Sequence, residues 1–197
     1  MNLKKILIVL FALTYSCISF ASDIEIEFRQ TDYFHRWSKN NQHEFTPKDQ
    51  EDLSKWKDML TVNFYPEVKS GEDLAGIANN VLGLYQQHGA MVLRVNSIPR
   101  TDDKEAEHLI AVLFSQKDFI EIVFTRIAMT KSDACSIVYS HRIYGSKAGD
   151  EASVWLQKNG ENSEKALMNL TLSEVLPMAR EGANKTRHST PEAAPLP

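Results

Sequence analysis

The chain has 197 residues, with 22 Lys+Arg against 26 Asp+Glu and a formal net charge of -4 at pH 7. A nucleic-acid binder needs a concentrated basic surface, and no Lys/Arg run of that kind occurs. Hydrophobic residues at 43% supply enough apolar material for a core, and two cysteines exclude a disulfide-dense scaffold.

Residues 1–21 have the three parts of a secretory signal: Lys4 and Lys5, an apolar stretch from Ile6 to Leu13, and Ser19-Phe20-Ala21 ahead of a cut before Ser22. The apolar run is short against the ~20 residues of a spanning helix, so no stable membrane span is expected after cleavage. The reading is therefore a periplasmic or secreted bacterial protein. A lipid anchor at Cys17 is the alternative, disfavoured because Thr14 stands where a lipobox has leucine and Tyr15 is too bulky. Loss of the signal leaves Cys135 as the only cysteine, so no internal disulfide can form.

Residues 22–57 read as a polar N-terminal segment with short strands. Ile24, Ile26 and Phe28 alternate with charged neighbours, and residues 35–58 read as loop-rich with one short strand at 43–46. Residues 60–65 alternate as a strand and stop at Pro66. Ser70-Gly71-Glu72-Asp73 is a capping-box pattern, after which Leu74, Ile77, Ala78, Val81, Leu82 and Tyr85 mark one face of a helix over 72–88, stopped by Gly89. Four strands are predicted next, at 91–97, 107–115, 119–130 and 136–144. The third also fits helical spacing, but its Ile, Val and Thr content favours a strand. Asp150 is expected to cap a helix through Lys158 that Gly160 ends, and a second helical stretch runs from Ser163 and fades before Pro177. Residues 180–197 hold almost no large apolar side chain and read as a disordered tail.

A run of strands rather than strict strand–helix alternation implies α+β. The expectation is a single domain at 58–179 with a mainly antiparallel sheet of about five to six strands and helices packed on it. This succession resembles that of PsbP-like domains, α+β sandwiches of photosystem accessory proteins and exported bacterial proteins. The resemblance rests on Asp58-Met59-Leu60-Thr61-Val62-Asn63-Phe64, the 72–88 helix, and the strands ending at Ser140-His141-Arg142. It covers roughly residues 40–172 at the level of topology, without a diagnostic motif. It implies binding or assembly more often than catalysis, and no functional residue carries over.

Cys135 is the obvious candidate nucleophile, with His108 or His141 as its base in a thiol hydrolase. His141, however, is about 20 Å away along an extended strand at ~3.3 Å per residue. The six histidines are scattered without ligand spacing, so no metal is expected, and no motif calls for a cofactor. Arg94, Arg126 and Arg142 each lie inside a predicted strand. On one shared face they would form a cleft able to grip carboxylate or phosphate; otherwise they pair with Glu107 and Glu121. Tyr139, His141 and Tyr144 join Arg142 in the densest polar-aromatic segment of the chain. The candidate ligand- or partner-binding residues are thus Arg94, Arg126, Tyr139, His141, Arg142 and Tyr144. The function expected is a non-enzymatic exported binding module for an envelope protein partner or a small anionic ligand, with the thiol hydrolase or the Cys17-anchored lipoprotein as alternatives.

Overall fold

The computed structural model describes residues 25–102 and 104–189; the signal segment, its cleavage site and Cys17 lie outside them. The elements in chain order are β1 (Glu25–Phe28), β2 (Thr31–Lys39), β3 (Gln42–Pro47), β4 (Asp58–Phe64), α1 (Gly71–Gln87), β5 (Met91–Ile98), β6 (Glu107–Ser115), β7 (Phe119–Met129), β8 (Ala134–Tyr144), α2 (Ala148–Asn169) and α3 (Leu172–Ser189). All eight strands form one sheet in the order β1-β2-β3-β4-β8-β7-β6-β5, and every neighbouring pair is antiparallel. The α+β class is as the pattern predicts. The strand count of five to six is corrected to eight.

The additional strands come from the polar N-terminal segment, which is part of the sheet rather than a leader to it. β1 and β2 turn at Arg29-Gln30, with φ of 52° and 62°, and β2 and β3 turn at Asn40-Asn41, with φ of 50° and 65°. Two successive positive φ values make the two-residue hairpin turn whose twist matches its strands, and asparagine tolerates that conformation. Ile26, Phe28, Tyr33 and Phe45 turn inward, so a segment rich in charge still contributes four large side chains to the core.

Strand alternation divides the core into two layers. On one face, Ile122, Phe124, Cys135, Ile137 and Tyr139 pack with Ala152 and Leu167 of α2 and Val175, Leu176 and Ala179 of α3. On the other, Ile110, Val112, Val123 and Ile127 pack with Leu74 and Ala78 of α1. The capping box at the start of α1 forms: the Asp73 N–H donates to Ser70 Oγ at 3.1 Å, and the Ser70 hydroxyl donates to the Asp73 carboxylate at 2.7 Å. Gly89 follows the helix at φ 79°, the left-handed position that glycine adopts without strain.

Two helical boundaries differ from expectation. α2 begins at Ala148 and runs through Gly160 to Asn169, because one internal glycine costs about 1 kcal/mol while the helix buries Ala152 and Leu167 on either side of it. α3 carries Pro177 inside it, and the residues assigned to a disordered tail from Arg180 continue that helix to Ser189. Burial of Val175, Leu176 and Ala179 offsets the one backbone hydrogen bond that proline cannot donate. No helix among the described residues is long and apolar enough to cross a membrane.

Candidate functional site

At the start of β4, Asp58 lies opposite His141 of β8. Asp58 Oδ1 accepts from the Tyr139 hydroxyl at 2.8 Å and from His141 Nδ1–H at 2.8 Å. Gln50 Oε1 accepts from the backbone N–H groups of Lys57 and Asp58 at 2.7 and 2.8 Å, fixing the entry to the strand. Trp155 of α2 stacks on the His141 ring, with centroids 4.3 Å apart and planes 13° from parallel. The imidazole is thus held by a carboxylate at one nitrogen and an indole on one face.

Burial pushes the Asp58 carboxyl up, but hydrogen bonds from His141, Tyr139 and Gln50 and the charge of His141 more than offset it, holding Asp58 below the usual carboxylate value. Burial, reinforced by the neighbouring Asp58, raises the Tyr139 hydroxyl so far that it stays a hydrogen-bond donor at every working pH.

A cavity of about 360 Å³ opens over this group, lined by Arg29, Tyr33, Gln50, Asp58, Tyr139, His141, Trp155 and Asn159 among others. Arg29 projects from the β1–β2 turn. Its Nη1 donates to Ser163 Oγ at 2.8 Å and its Nη2 to Asn159 Oδ1 at 3.2 Å, and its guanidinium carbon lies 6.0 Å from both the Tyr139 and Trp155 ring centroids. A second hollow of about 370 Å³ shares His141 and Trp155 and continues to Lys57, Arg142, Tyr144 and Glu151.

The six sequence candidates therefore separate. Tyr139 and His141 line the Arg29 cavity; His141, Arg142 and Tyr144 line its neighbour. Arg142 is committed: its Nε donates to Glu121 at 2.8 Å, and its guanidinium lies 3.8 Å from the Trp56 ring centroid and 4.3 Å from that of Phe119. The Tyr144 hydroxyl donates to the Trp56 carbonyl at 2.8 Å. Arg126 is buried, with paired N–H groups on Glu107 at 2.9 and 3.0 Å and Nη1 donating to the Leu167 and Leu170 carbonyls at the end of α2. That arginine caps a helix. Arg94 lies on edge strand β5, 3.4 Å from Glu164. The three arginines share no cleft, because Arg126 projects towards α2 while Arg142 pairs with Glu121 on the opposite side of the sheet.

Arg29, Asp58, Gln50 and Trp155 were missing from the sequence reading. Asp58 had one signal, a charged residue opening an otherwise uncharged strand, whereas Arg29 and Trp155 come from elements over a hundred residues apart.

Cys135 is fully buried and unpaired, and burial pushes its thiol up to about 12. Strand β7 separates it from His108, which bonds to Ser97 on the opposite face, and His141 is at the far end of β8. Neither histidine expected to serve as its base is beside it. Among the described residues no group of three His, Cys, Asp or Glu side chains is placed to hold a metal ion.

Comparison with solved structures finds the Ran-binding protein Mog1p of Saccharomyces cerevisiae, at 13% identity over 82% of this chain and 92% of that one, with a TM-score of 0.38. A point mutant of Mog1 gives 12% identity over 82% and 93%, at 0.38, and human STARD10 gives 11% over 81% and 83%, at 0.29. At these scores nothing about function follows. No curated protein sequence matches the chain. A protein-family model does match over residues 20–172, and the chain belongs to that family.

Proposed function

We propose that the protein is an exported, non-enzymatic binding module whose ligand is a small anion, a carboxylate either free or carried by an acidic side chain of a partner protein. The observation that carries this reading is Arg29. It occupies a left-handed turn position that ordinarily takes Asn, Asp or Gly, and it is braced by Ser163 and Asn159 at the mouth of a cavity whose wall is the oriented His141. A braced guanidinium retains N–H groups for a carboxylate, and Trp155 with Tyr139 supplies flat apolar surface beside it. The binding role implied by the PsbP-like resemblance points the same way. A thiol hydrolase finds no support in Cys135, which lacks access, an ionisable thiol at neutral pH and either of the two histidines as a partner.

Calorimetric titration of the purified chain with a panel of mono- and dicarboxylates tests the site. Binding is expected for at least one, with about a tenfold or greater loss in Arg29→Ala and in His141→Ala. Unchanged binding in both variants removes the reading. Export is tested by fractionating bacterial cells that express the full chain and sequencing the N-terminus of the product. A product starting at Ser22 outside the cytoplasm is expected; one labelled by a lipid precursor at Cys17 would place it among lipoproteins instead.

A further inference from the structure

A larger cavity, about 740 Å³, lies at the opposite end of the sheet from Arg29 and His141. The Asn40-Asn41 turn, the end of β4 at Phe64 and Tyr65, the β7–β8 turn at Ser132 and Asp133, and α3 enclose it. Three cationic side chains border it, Lys39, Lys69 and Arg180, against one acid, Asp133. That local excess stands out in a chain whose formal net charge is -4. Arg180 is ion-paired with Asp133 and its guanidinium carbon lies 4.5 Å from the Phe64 ring centroid, so the one acid is already engaged. Asp133 also accepts from the Ser132 hydroxyl at 2.8 Å. Neither the Lys39 nor the Lys69 ammonium group forms a salt bridge among the described residues; the Asp73 carboxylate beside Lys69 accepts from the Lys69 backbone N–H at 3.4 Å.

The floor is rigid. His43 is buried, its ring edge-on to Phe64 at 5.4 Å, and its Nδ1 is 2.8 Å from Ser38 Oγ. The two asparagines hold positive φ in the hairpin turn at the rim of the cavity.

We infer that this cavity is a second binding site, for a small organic phosphate. The donor set selects the anion. A planar carboxylate is matched best by the fork of an arginine, and the arginine here is already paired with Asp133. Two ammonium groups are compact point charges, here carried by separate segments, the end of β2 and the segment before α1, and such charges suit a tetrahedral, doubly charged phosphate with several oxygens. The volume lies in the range of pockets that hold drug-sized ligands and exceeds what a bare phosphate fills. Phe64, Tyr65 and Pro66 offer the organic part an apolar wall. The site is independent of the carboxylate site proposed above, with which it shares no lining residue.

The phosphate can belong to a soluble monoester or to a lipid headgroup, and the experiment separates them. The purified full chain is titrated with inorganic phosphate, adenosine 5′-monophosphate, glucose 6-phosphate and citrate, and is sedimented with vesicles of phosphatidylcholine containing phosphatidic acid. At least one phosphate monoester is expected to bind more tightly than inorganic phosphate and citrate, with affinity falling as salt rises. The double variant Lys39→Gln/Lys69→Gln should weaken that binding about tenfold or more, and Arg29→Ala should leave it unchanged. Both lysines are on the surface, and circular dichroism with thermal melting checks that the variant folds. Vesicle binding that is lost in the double variant, without binding of any soluble ester, assigns the phosphate to a lipid. No binding to any phosphate probe, equal binding of citrate, or full affinity in the double variant overturns the inference.

Discussion

Asp58 accepts two side-chain hydrogen bonds at one oxygen, and this sets the pH behaviour of the site. Its folded value is depressed below the unfolded value of about 3.9. The stabilisation it contributes is therefore fully present above that value and is lost as pH falls through the lower, folded one. Urea unfolding between pH 3 and 7 should show wild type losing stability below about pH 4. Asp58→Asn should be less stable at neutral pH by about 1–3 kcal/mol and respond less to acid over that window. Equal acid sensitivity in the two proteins would show that Asp58 is not held below its unfolded value in the folded chain. Cys135 makes the complementary case, a group raised by burial. In a Cys17→Ser background its thiol should stay inert to a disulfide reagent in the native state and react only on unfolding. Fast native reaction would mean that the layer under α2 and α3 opens readily.

Elements follow from packing as much as from propensity, and two glycines make the point. A methyl group at Gly160 would meet only Leu156 Cδ2 at 3.6 Å, an ordinary contact, so Gly160→Ala should stabilise α2 by about 0.5–1 kcal/mol. At Gly182 the same methyl would fall 2.5–2.9 Å from atoms of the His35 ring, and Gly182→Ala should lower stability by about 1–3 kcal/mol as α3 is pushed off β2. Thermal melts of the two variants should shift in opposite directions. A matching shift would mean that α3 does not rest on β2 through that glycine. Composition alone argued the reverse, treating Gly160 as a helix stop and Gly182 as part of a loose tail.

For the whole molecule, α3 closes the layer that α2 leaves open over the N-terminal strands. Val175, Leu176 and Ala179 join the core formed with Ile26, Phe28, Tyr33 and Phe45. Ending the chain at Thr171 should therefore remove cooperative unfolding and produce aggregation, although most of the deleted piece, from Arg180 on, looks dispensable by composition. Calorimetry that finds an unchanged sharp transition in the truncated chain would refute this role for α3. The same closure forms the large cavity, since Arg180 of α3 and the Asn40-Asn41 turn meet only when the helix is seated.

Local chemistry alone determined the strands from Asp58 to Tyr144, the capped helix α1 and the α+β class, because period-two and period-3.6 patterns report burial of a neighbouring face and β-branched content favours a strand where the period is ambiguous. It also singled out residues 139–144 as polar, aromatic and worth locating. Partnership was decided only in the tertiary structure. Arg126 turned to Glu107 and the end of α2, Arg142 to Glu121 and two aromatic rings, and His141 to an aspartate 83 residues distant. Strand β2 read as loop because its inward side chains are interrupted by polar ones and a bulge between His35 and Trp37 breaks the alternation. Both cavities are assembled from turns and helices far apart in the chain, and no pattern within a window of residues records which of them will meet.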